Sequence, residues 1–173
     1  METGASVSSN PLFENTHGRA VAIEISNYSS RYDLRNPSYC TTSGYCCNPP
    51  PPTISKSGKG TCVFTKTGGT ARGCVGVLTY QLSDHSIAIM FSNPFDYNLY
   101  RICYGMEIFN RHRTADENLF KEMYYAPVNA EKRRIVGSCS SHLELSYDGI
   151  NVKATMSSSS KSIMKVEIHD LPE

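Results

Sequence analysis

Short stretches in which apolar and polar residues alternate recur along the chain, and this pattern limits the fold more than any other feature. Residues 21–25 place Val, Ile and Ile at every second position, and residues 164–168 place Met, Val and Ile in the same way. Successive side chains of a β-strand point to opposite faces of the sheet, so each stretch predicts a strand with one buried face. The chain is therefore expected to be mainly β.

Turn signals separate these stretches, and a single segment predicts a helix. Asp148-Gly149 supplies the positive φ angles of a tight hairpin, and Ser83-Asp84 divides two apolar runs. Residues 114–117, Thr-Ala-Asp-Glu, have the Ser/Thr-x-x-Glu form that satisfies the free amides at a helix start, with Thr114 as the capping residue. The helix should end near Tyr125, before Ala-Pro. Seven or more strands and this helix predict an antiparallel β-sandwich in a single domain over residues 19–173.

Three segments are expected to lie outside the sheets. Residues 1–18 are polar, rich in serine and interrupted by proline, which predicts a flexible N-terminal segment. Residues 37–60 contain four consecutive prolines, so we expect a long surface excursion in place of regular strand pairing. The run Glu-Lys-Arg-Arg at 131–134 predicts a solvated loop.

Composition and cysteine spacing exclude several classes of function. The 17 Lys and Arg residues nearly balance the 16 Asp and Glu residues, so no basic field indicates nucleic acid as a partner. No apolar run of about 18 residues and no signal sequence is visible, which predicts a soluble protein that is cytoplasmic or is released by a non-classical route. Seven cysteines cannot all pair, and no Cys-x-x-Cys motif occurs. No phosphate-binding loop or catalytic motif survives inspection, so we expect no enzyme, metal site or cofactor.

The most informative segment is residues 91–125, which concentrates aromatic side chains. The set comprises Phe91, Phe95, Tyr97, Tyr100, Tyr104, Phe109, Phe120, Tyr124 and Tyr125. These rings could form part of the core. Alternatively, tyrosine suits a water–lipid boundary, and ring faces attract a quaternary ammonium group. The residue types alone leave both interpretations open.

The order of three motifs resembles that of the actinoporins, in particular the actinoporin-like proteins of fish and other vertebrates. The motifs are VGVLTY at 75–80, FSNPFDYNLY at 91–100 and KEMYY at 121–125, and the resemblance extends from about Arg19 to Asp170. It implies a β-sandwich with one or two flanking α-helices, a fold shared with fungal fruit-body lectins. It also implies a monomer in solution that binds phosphocholine headgroups, such as that of sphingomyelin. Such proteins then form homo-oligomers on target cell membranes and open cation-conducting pores.

The same resemblance assigns residues to two surfaces. The headgroup-binding pocket would comprise Val75, Ser92, Pro94, Tyr100, Phe120, Tyr124 and Tyr125, with Thr42 or Ser43 completing it. The membrane-facing loop would comprise Phe95, Tyr97, Leu99, Cys103 and Tyr104. Phe120 stands where the family usually has tyrosine, so one hydroxyl is lost. The chain has no Trp, and Leu99 and Cys103 stand where the family anchors with tryptophans, so membrane affinity should fall or its target should change.

Pore formation is expected to be weak. Residues 1–18 include Pro11 and make no continuous apolar stripe, whereas a spanning helix needs about 20 residues. The rival interpretation is a carbohydrate-binding lectin on the same scaffold, which would bind a glycan without forming pores. An intracellular interaction module is a third.

Overall fold

Twelve β-strands, a short 3-10 helix and one α-helix form the part of the chain, residues 10–172, that the computed structural model describes. After the 3-10 helix Pro11–Phe13, the elements are β1 (Ala20–Asn27), β2 (Leu34–Ser43), β3 (Tyr45–Asn48), β4 (Thr53–Ile54), β5 (Lys59–Thr65), β6 (Cys74–Leu82), β7 (His85–Asn93), β8 (Cys103–Phe109), α1 (Glu117–Tyr125), β9 (Arg134–Ser138), β10 (Leu143–Tyr147), β11 (Ile150–Met156) and β12 (Lys161–Asp170).

The strands form two six-stranded sheets packed face to face. The first sheet has the order β10-β11-β12-β1-β5-β3, and the second has the order β4-β2-β6-β7-β8-β9. Neighbouring strands are antiparallel except for β1 and β12, which pair in parallel with Ala20 opposite Lys161. The predicted antiparallel β-sandwich is therefore confirmed.

The core lies between the sheets and follows the predicted alternation. Val21, Ile23 and Ile25 are at most 2% exposed, and Val166 and Ile168 are 1% exposed in the same apolar cluster. Burying such side chains contributes about 1.5–3 kcal/mol each. The alternation therefore determines which face of the first sheet looks inward.

The segment before β1 packs on the sandwich, contrary to the flexible lead-in that we expected. Phe13 is only 3% exposed and contacts a second apolar group formed by Ala20, Ala22 and Val63 on the outer face of the first sheet. The backbone amide of His17 also donates to the Thr65 hydroxyl at 2.9 Å. Order among the described residues thus begins before Arg19. The expectation for residues 1–9 lies outside the described residues.

The surface excursion predicted for residues 37–60 was wrong, because most of it is paired. Strand β2 pairs with β6 despite its polar sequence, with register shifts between Arg35 and Ser38 and between Thr41 and Ser43. The apolar neighbour β6 supplies pairing that the β2 sequence does not predict. The polyproline run remains irregular, and its Pro51 carbonyl accepts a 2.7 Å hydrogen bond from Tyr80.

Helix α1 begins two residues later than the capping motif predicted. The N-cap is Asp116, not Thr114, and its carboxylate accepts from the Leu119 amide at 2.7 Å. The helix ends at Tyr125, as the following Ala-Pro predicted. Leu119 and Met123 are fully buried against the second sheet, and this packing leaves the last residue of the helix facing solvent.

Candidate functional site

A cleft of about 590 Å³ opens at one end of the sandwich, where β6 begins, β7 ends and α1 ends. It contains all seven residues that the resemblance assigned to the headgroup pocket, together with both Thr42 and Ser43. The lining comprises Thr42, Ser43, Ala71, Arg72, Gly73, Val75, Ser92, Pro94, Phe95, Asp96, Leu99, Tyr100, Phe120, Tyr124 and Tyr125. Residues from four separate segments, 42–43, 71–75, 92–100 and 120–125, therefore converge in one place.

Strand register builds the floor of the cleft. Val75 of β6 lies opposite Ser92 of β7, and Ser92 lies opposite Cys103 of β8. A hydrogen bond links the side chains of Ser92 and Cys103, although burial is the larger effect and raises the pKa of the Cys103 thiol. Cys103 thus starts a strand beneath α1 and does not belong to the loop where we placed it.

Three rings from α1 form one wall. Phe120 and Tyr124 stack with centroids 5.4 Å apart and planes at 26°, while Tyr124 and Tyr125 meet edge to face at 4.9 Å. Phe120 is 4% exposed and Tyr125 is 74% exposed, so the wall runs from the core to solvent. Burial first, and then neighbouring thiol and phenol groups, raise the pKa of Tyr124, so its phenol stays protonated at neutral pH.

A buried ion pair fixes the end of α1 that carries these rings. Glu107 of β8 is fully buried and accepts from Arg134 at 2.7 Å and from Arg133 at 3.0 Å. Arg134 in turn donates to the carbonyls of Glu122, at 3.1 Å, and Ala126 at the helix end. The solvated loop predicted for residues 131–134 was therefore wrong for Arg134, which is 6% exposed and begins β9, while Glu131 and Lys132 are exposed outside any strand.

The loop after β7 forms the opposite wall and is tied to the first sheet. The buried Asn93 amide donates to the carbonyls of Ala20 at 3.1 Å and Ser160 at 2.9 Å, and Asn93 accepts from the Tyr97 hydroxyl at 2.7 Å. Arg19 donates to the Pro94 carbonyl at 3.1 Å and lies 4.4 Å from the Tyr97 ring centroid. These contacts hold the loop in one conformation.

The predicted loop residues divide into exposed and buried groups. Leu99 is 72% exposed and Tyr100 56%, while Phe95 and Tyr97 are each 42% exposed. Tyr104 is fully buried on β8, where its hydroxyl donates to two carbonyls, so its assignment to the membrane-facing loop was wrong. The two interpretations of the aromatic set therefore each apply to part of it.

Sequence reasoning missed Arg72 and Asp96, the two charged side chains that line the cleft. Arg72 is exposed and makes no hydrogen bond or ion pair with any other residue in the described range 10–172. A Cβ on neighbouring Gly73 would lie 2.3 Å from the Asn93 carbonyl oxygen, so only glycine lets this loop approach Pro94. Gly73 was therefore the residue from which the close approach of this loop to Pro94 could have been predicted from the sequence.

Within residues 10–172, no three His, Cys, Asp or Glu side chains are grouped so that they could hold a metal ion. No helix in this range is both long and apolar enough to cross a membrane. All seven cysteines are free thiols.

Comparison with known proteins gives both a family and a fold. Relatives include cytolysin tenebrosin-B from Actinia tenebrosa, 38% identical over 103 residues that make up 58% of this chain and 45% of that protein. DELTA-actitoxin-Afr1c from Actinia fragacea is 32% identical over 103 residues, 59% of this chain and 55% of that protein. The chain thus spans about half the length of the curated relatives it matches.

A solved structure of the lipid binding protein Nakanori has the same fold, with a TM-score of 0.69 at 13% identity, covering 96% of this chain and 76% of that one. The relatives are named as cytolysins and toxins, and the family is not one of enzymes. The family described as sea anemone cytotoxic protein matches residues 18–170. The chain therefore belongs to this family, the actinoporins.

Proposed function

We propose that this protein binds lipid membranes through the aromatic cleft and recognises phosphocholine headgroups there. The observation that carries the proposal is the convergence of four chain segments on one cleft whose rim includes exposed rings, among them Tyr100 and Tyr125. Large exposed apolar side chains gathered at one place indicate an interaction surface. The kinship with cytolysins agrees with a membrane as the partner.

The rings suit the choline group. A quaternary ammonium cannot donate hydrogen bonds, and the faces of Tyr and Phe rings attract such a cation within about 6 Å. Tyr124 and Tyr125 meet edge to face, and Tyr100 stands across the cleft on the loop. The protonated phenol of Tyr124 is also a donor for a phosphate oxygen.

The two charged lining residues complement a zwitterion. Arg72 offers a guanidinium to the phosphate, and Asp96 offers a carboxylate to the ammonium. One positive and one negative group in the same cleft favour a headgroup that carries both charges over a purely anionic one. Phe120 retains the ring but provides no hydroxyl for the phosphate, which should weaken this contact.

The exposed loop would enter the lipid surface. Leu99, Phe95 and Tyr97 are exposed beside the cleft, and tyrosine rings favour the membrane–water interface. Without tryptophan at this surface, we expect weaker anchoring than tryptophan-bearing relatives achieve. On the membrane, the proposal extends to homo-oligomers and a weak cation-conducting pore, in keeping with relatives that are named cytolysins.

Co-sedimentation with vesicles of phosphatidylcholine, with and without sphingomyelin, tests this function. We expect binding to both vesicles, stronger with sphingomyelin, and inefficient release of an encapsulated dye. A glycan array run in parallel tests the lectin alternative. Strong glycan binding without vesicle binding would overturn the proposal, and efficient dye release would overturn the weak pore alone.

A further inference from the structure

A second cleft, of about 460 Å³, lies on the other side of the loop after β7, residues 94–102. Tyr100 lines both clefts, so the same loop separates them. The second cleft is rich in hydroxyl groups, and its lining comprises Tyr97, Tyr100, Arg101, Ile102, Ser138, Cys139, Ser140, Ser158, Ser159 and Ser160. Apart from Tyr97 and Tyr100, its residues make none of the contacts proposed for phosphocholine.

Two turns form the serine walls, and hydrogen bonds fix both turns to the loop. The Asn93 amide donates to the Ser159 carbonyl at 3.3 Å and to the Ser160 carbonyl at 2.9 Å. On the other wall, the Cys139 amide donates to the Ile102 carbonyl at 3.2 Å. The cleft is therefore formed before any ligand arrives.

The charge of this cleft differs from that of the first. Arg101 is the one charged residue in its lining, and the carboxylate of the same loop, Asp96, lines the first cleft instead. Arg101 is exposed and makes no hydrogen bond or ion pair with another residue of the described range. A guanidinium presents five donors in a planar fork that matches an oxyanion.

Hydroxyl groups around Arg101 are available to a ligand. The Ser158 and Ser160 side chains make no hydrogen bond within residues 10–172. The Ser138 and Ser140 hydroxyls share one bond of 2.9 Å, which leaves one of their two protons free. Such groups both donate and accept, as the hydroxyls of a polyol require.

We propose that this second cleft binds a phosphate monoester carried on a polyol ring, with Arg101 on the phosphate and the serine hydroxyls on the ring. An inositol phosphate has this chemistry, and it occurs both in lipid headgroups and free in solution. Tyr97 and Tyr100 belong to the loop proposed above to enter the membrane, so we assign an anionic lipid headgroup as its source. That assignment rests on the proposed membrane binding, whereas recognition of the phosphate does not.

The test compares vesicles of phosphatidylcholine alone with vesicles that also contain phosphatidylinositol 4,5-bisphosphate. Arg101→Gln removes the cation, and Ser158→Trp fills the cleft without changing charge. Lys161→Gln is the matched control, because Lys161 starts β12 at the same end and does not line the cleft. Titration with soluble inositol 1,4,5-trisphosphate examines the phosphate contact without a membrane.

On the anionic vesicles we expect Arg101→Gln to bind about fiftyfold more weakly. The variant loses both a charged hydrogen bond to the phosphate and the attraction of one positive charge to the anionic surface. Lys161→Gln should lose about fivefold, the effect of one surface charge near an anionic membrane. Ser158→Trp should lose about tenfold. Arg101→Gln and Lys161→Gln should bind phosphatidylcholine vesicles as the unaltered chain does.

Equal losses for Arg101→Gln and Lys161→Gln, or normal binding by Ser158→Trp, would overturn the site. If the chain binds no vesicle but binds the soluble phosphate through Arg101, the site stands and the proposed membrane function fails. If the chain binds soluble inositol 1,4,5-trisphosphate as tightly as it binds the anionic vesicles, the assignment of a lipid headgroup as the source is overturned. Binding of neither probe would overturn the inference altogether.

Discussion

The two ends of the sandwich use their polar side chains in different ways. At the end away from the clefts, the Asp170 carboxylate accepts hydrogen bonds of 2.6–2.9 Å from Ser29 and Ser30. His85 Nε2 and an Asp148 carboxylate oxygen make a hydrogen bond of 2.8 Å at the same end. These hydrogen bonds link neighbouring turns of the same chain, so they contribute to the stability of this end.

The cleft end leaves comparable groups without partners. Arg72 and Arg101 make no hydrogen bond or ion pair with the rest of the described chain, and Tyr125 is 74% exposed. Exposed rings and unpaired arginines do not stabilise the fold. Their ring faces and N–H donors are therefore available to a ligand. The contrast favours the cleft end as the binding end, and four predictions test how separate the two ends are.

The largest effect is expected at Glu107, which fixes the helix end but touches no ligand. Glu107→Ala leaves two arginines without their buried carboxylate, so the free energy of unfolding should fall by about 3–5 kcal/mol. Chemical denaturation followed by circular dichroism measures it. Asp148→Ala is the control, since its 53% exposed side chain makes a surface pair worth about 1 kcal/mol or less.

A loss no larger than that of the control would contradict this prediction. Glu107→Ala should also bind vesicles more weakly, because Arg134 would no longer hold the end of α1 in place. Reduced stability with normal vesicle binding would show that the cleft keeps its shape without the ion pair.

Tyr124→Ala should affect binding more than stability. Losing a ring face from a cation should weaken binding to phosphocholine vesicles by about 1–2 kcal/mol, while the melting temperature changes little. Tyr28→Ala is the matched control, because Tyr28 is 57% exposed and lies at the other end of β1. Vesicle titrations measure the affinity of both variants, and thermal melts measure their stability. A large loss of stability with normal binding would place Tyr124 in the core.

A smaller effect should appear with acid at the stable end. Burial opposes ionisation of Asp170, but hydrogen bonds from Ser29 and Ser30 outweigh it and lower its pKa below 3.8. A lowered folded-state pKa means that this stabilisation is complete at neutral pH and is lost as pH falls below about 4. Asp170→Asn should cost about 1 kcal/mol at pH 7 and nothing at low pH. Denaturation at pH 7 and pH 3 tests this, and an equal loss at both would contradict it.

The smallest expected effect is that of chelation. Binding should be unchanged by EDTA, because side chains of the cleft make all the proposed contacts and no cluster of three His, Cys, Asp or Glu side chains within residues 10–172 could hold a metal ion. Vesicle co-sedimentation with and without EDTA measures it. A reproducible loss restored by calcium would instead indicate loop carboxylates such as Asp96.

Alternation was sufficient to predict the strands that bury one face, and its main failure has a physical cause. Strand β2 is mostly polar, and from residue 37 onward it was expected to lie in a surface excursion. It pairs with the strongly apolar β6, so its structure depends on this partner more than on its own residues. Local propensity cannot show a dependence of this kind.

The same limit applied to the site. Tyr100 and Tyr104 have the same side chain four positions apart, yet one is exposed and the other is buried. Tyr104 can be buried because its hydroxyl reaches the carbonyls of Ser141 and Ala154, which are distant in sequence. The clustering of rings was predictable, whereas the division between core and surface required the tertiary fold.

The parallel pairing of β1 with β12 has a practical consequence for presenting this protein. Both strands start at the cleft end, and β12 finishes at the opposite end with Asp170. A tag attached beyond Asp170 would therefore project from the end of the sandwich opposite the aromatic cleft. Immobilised on a sensor chip by such a tag, the molecules would display their clefts to passing vesicles, whereas attachment just before Ala20 would crowd the surface under study.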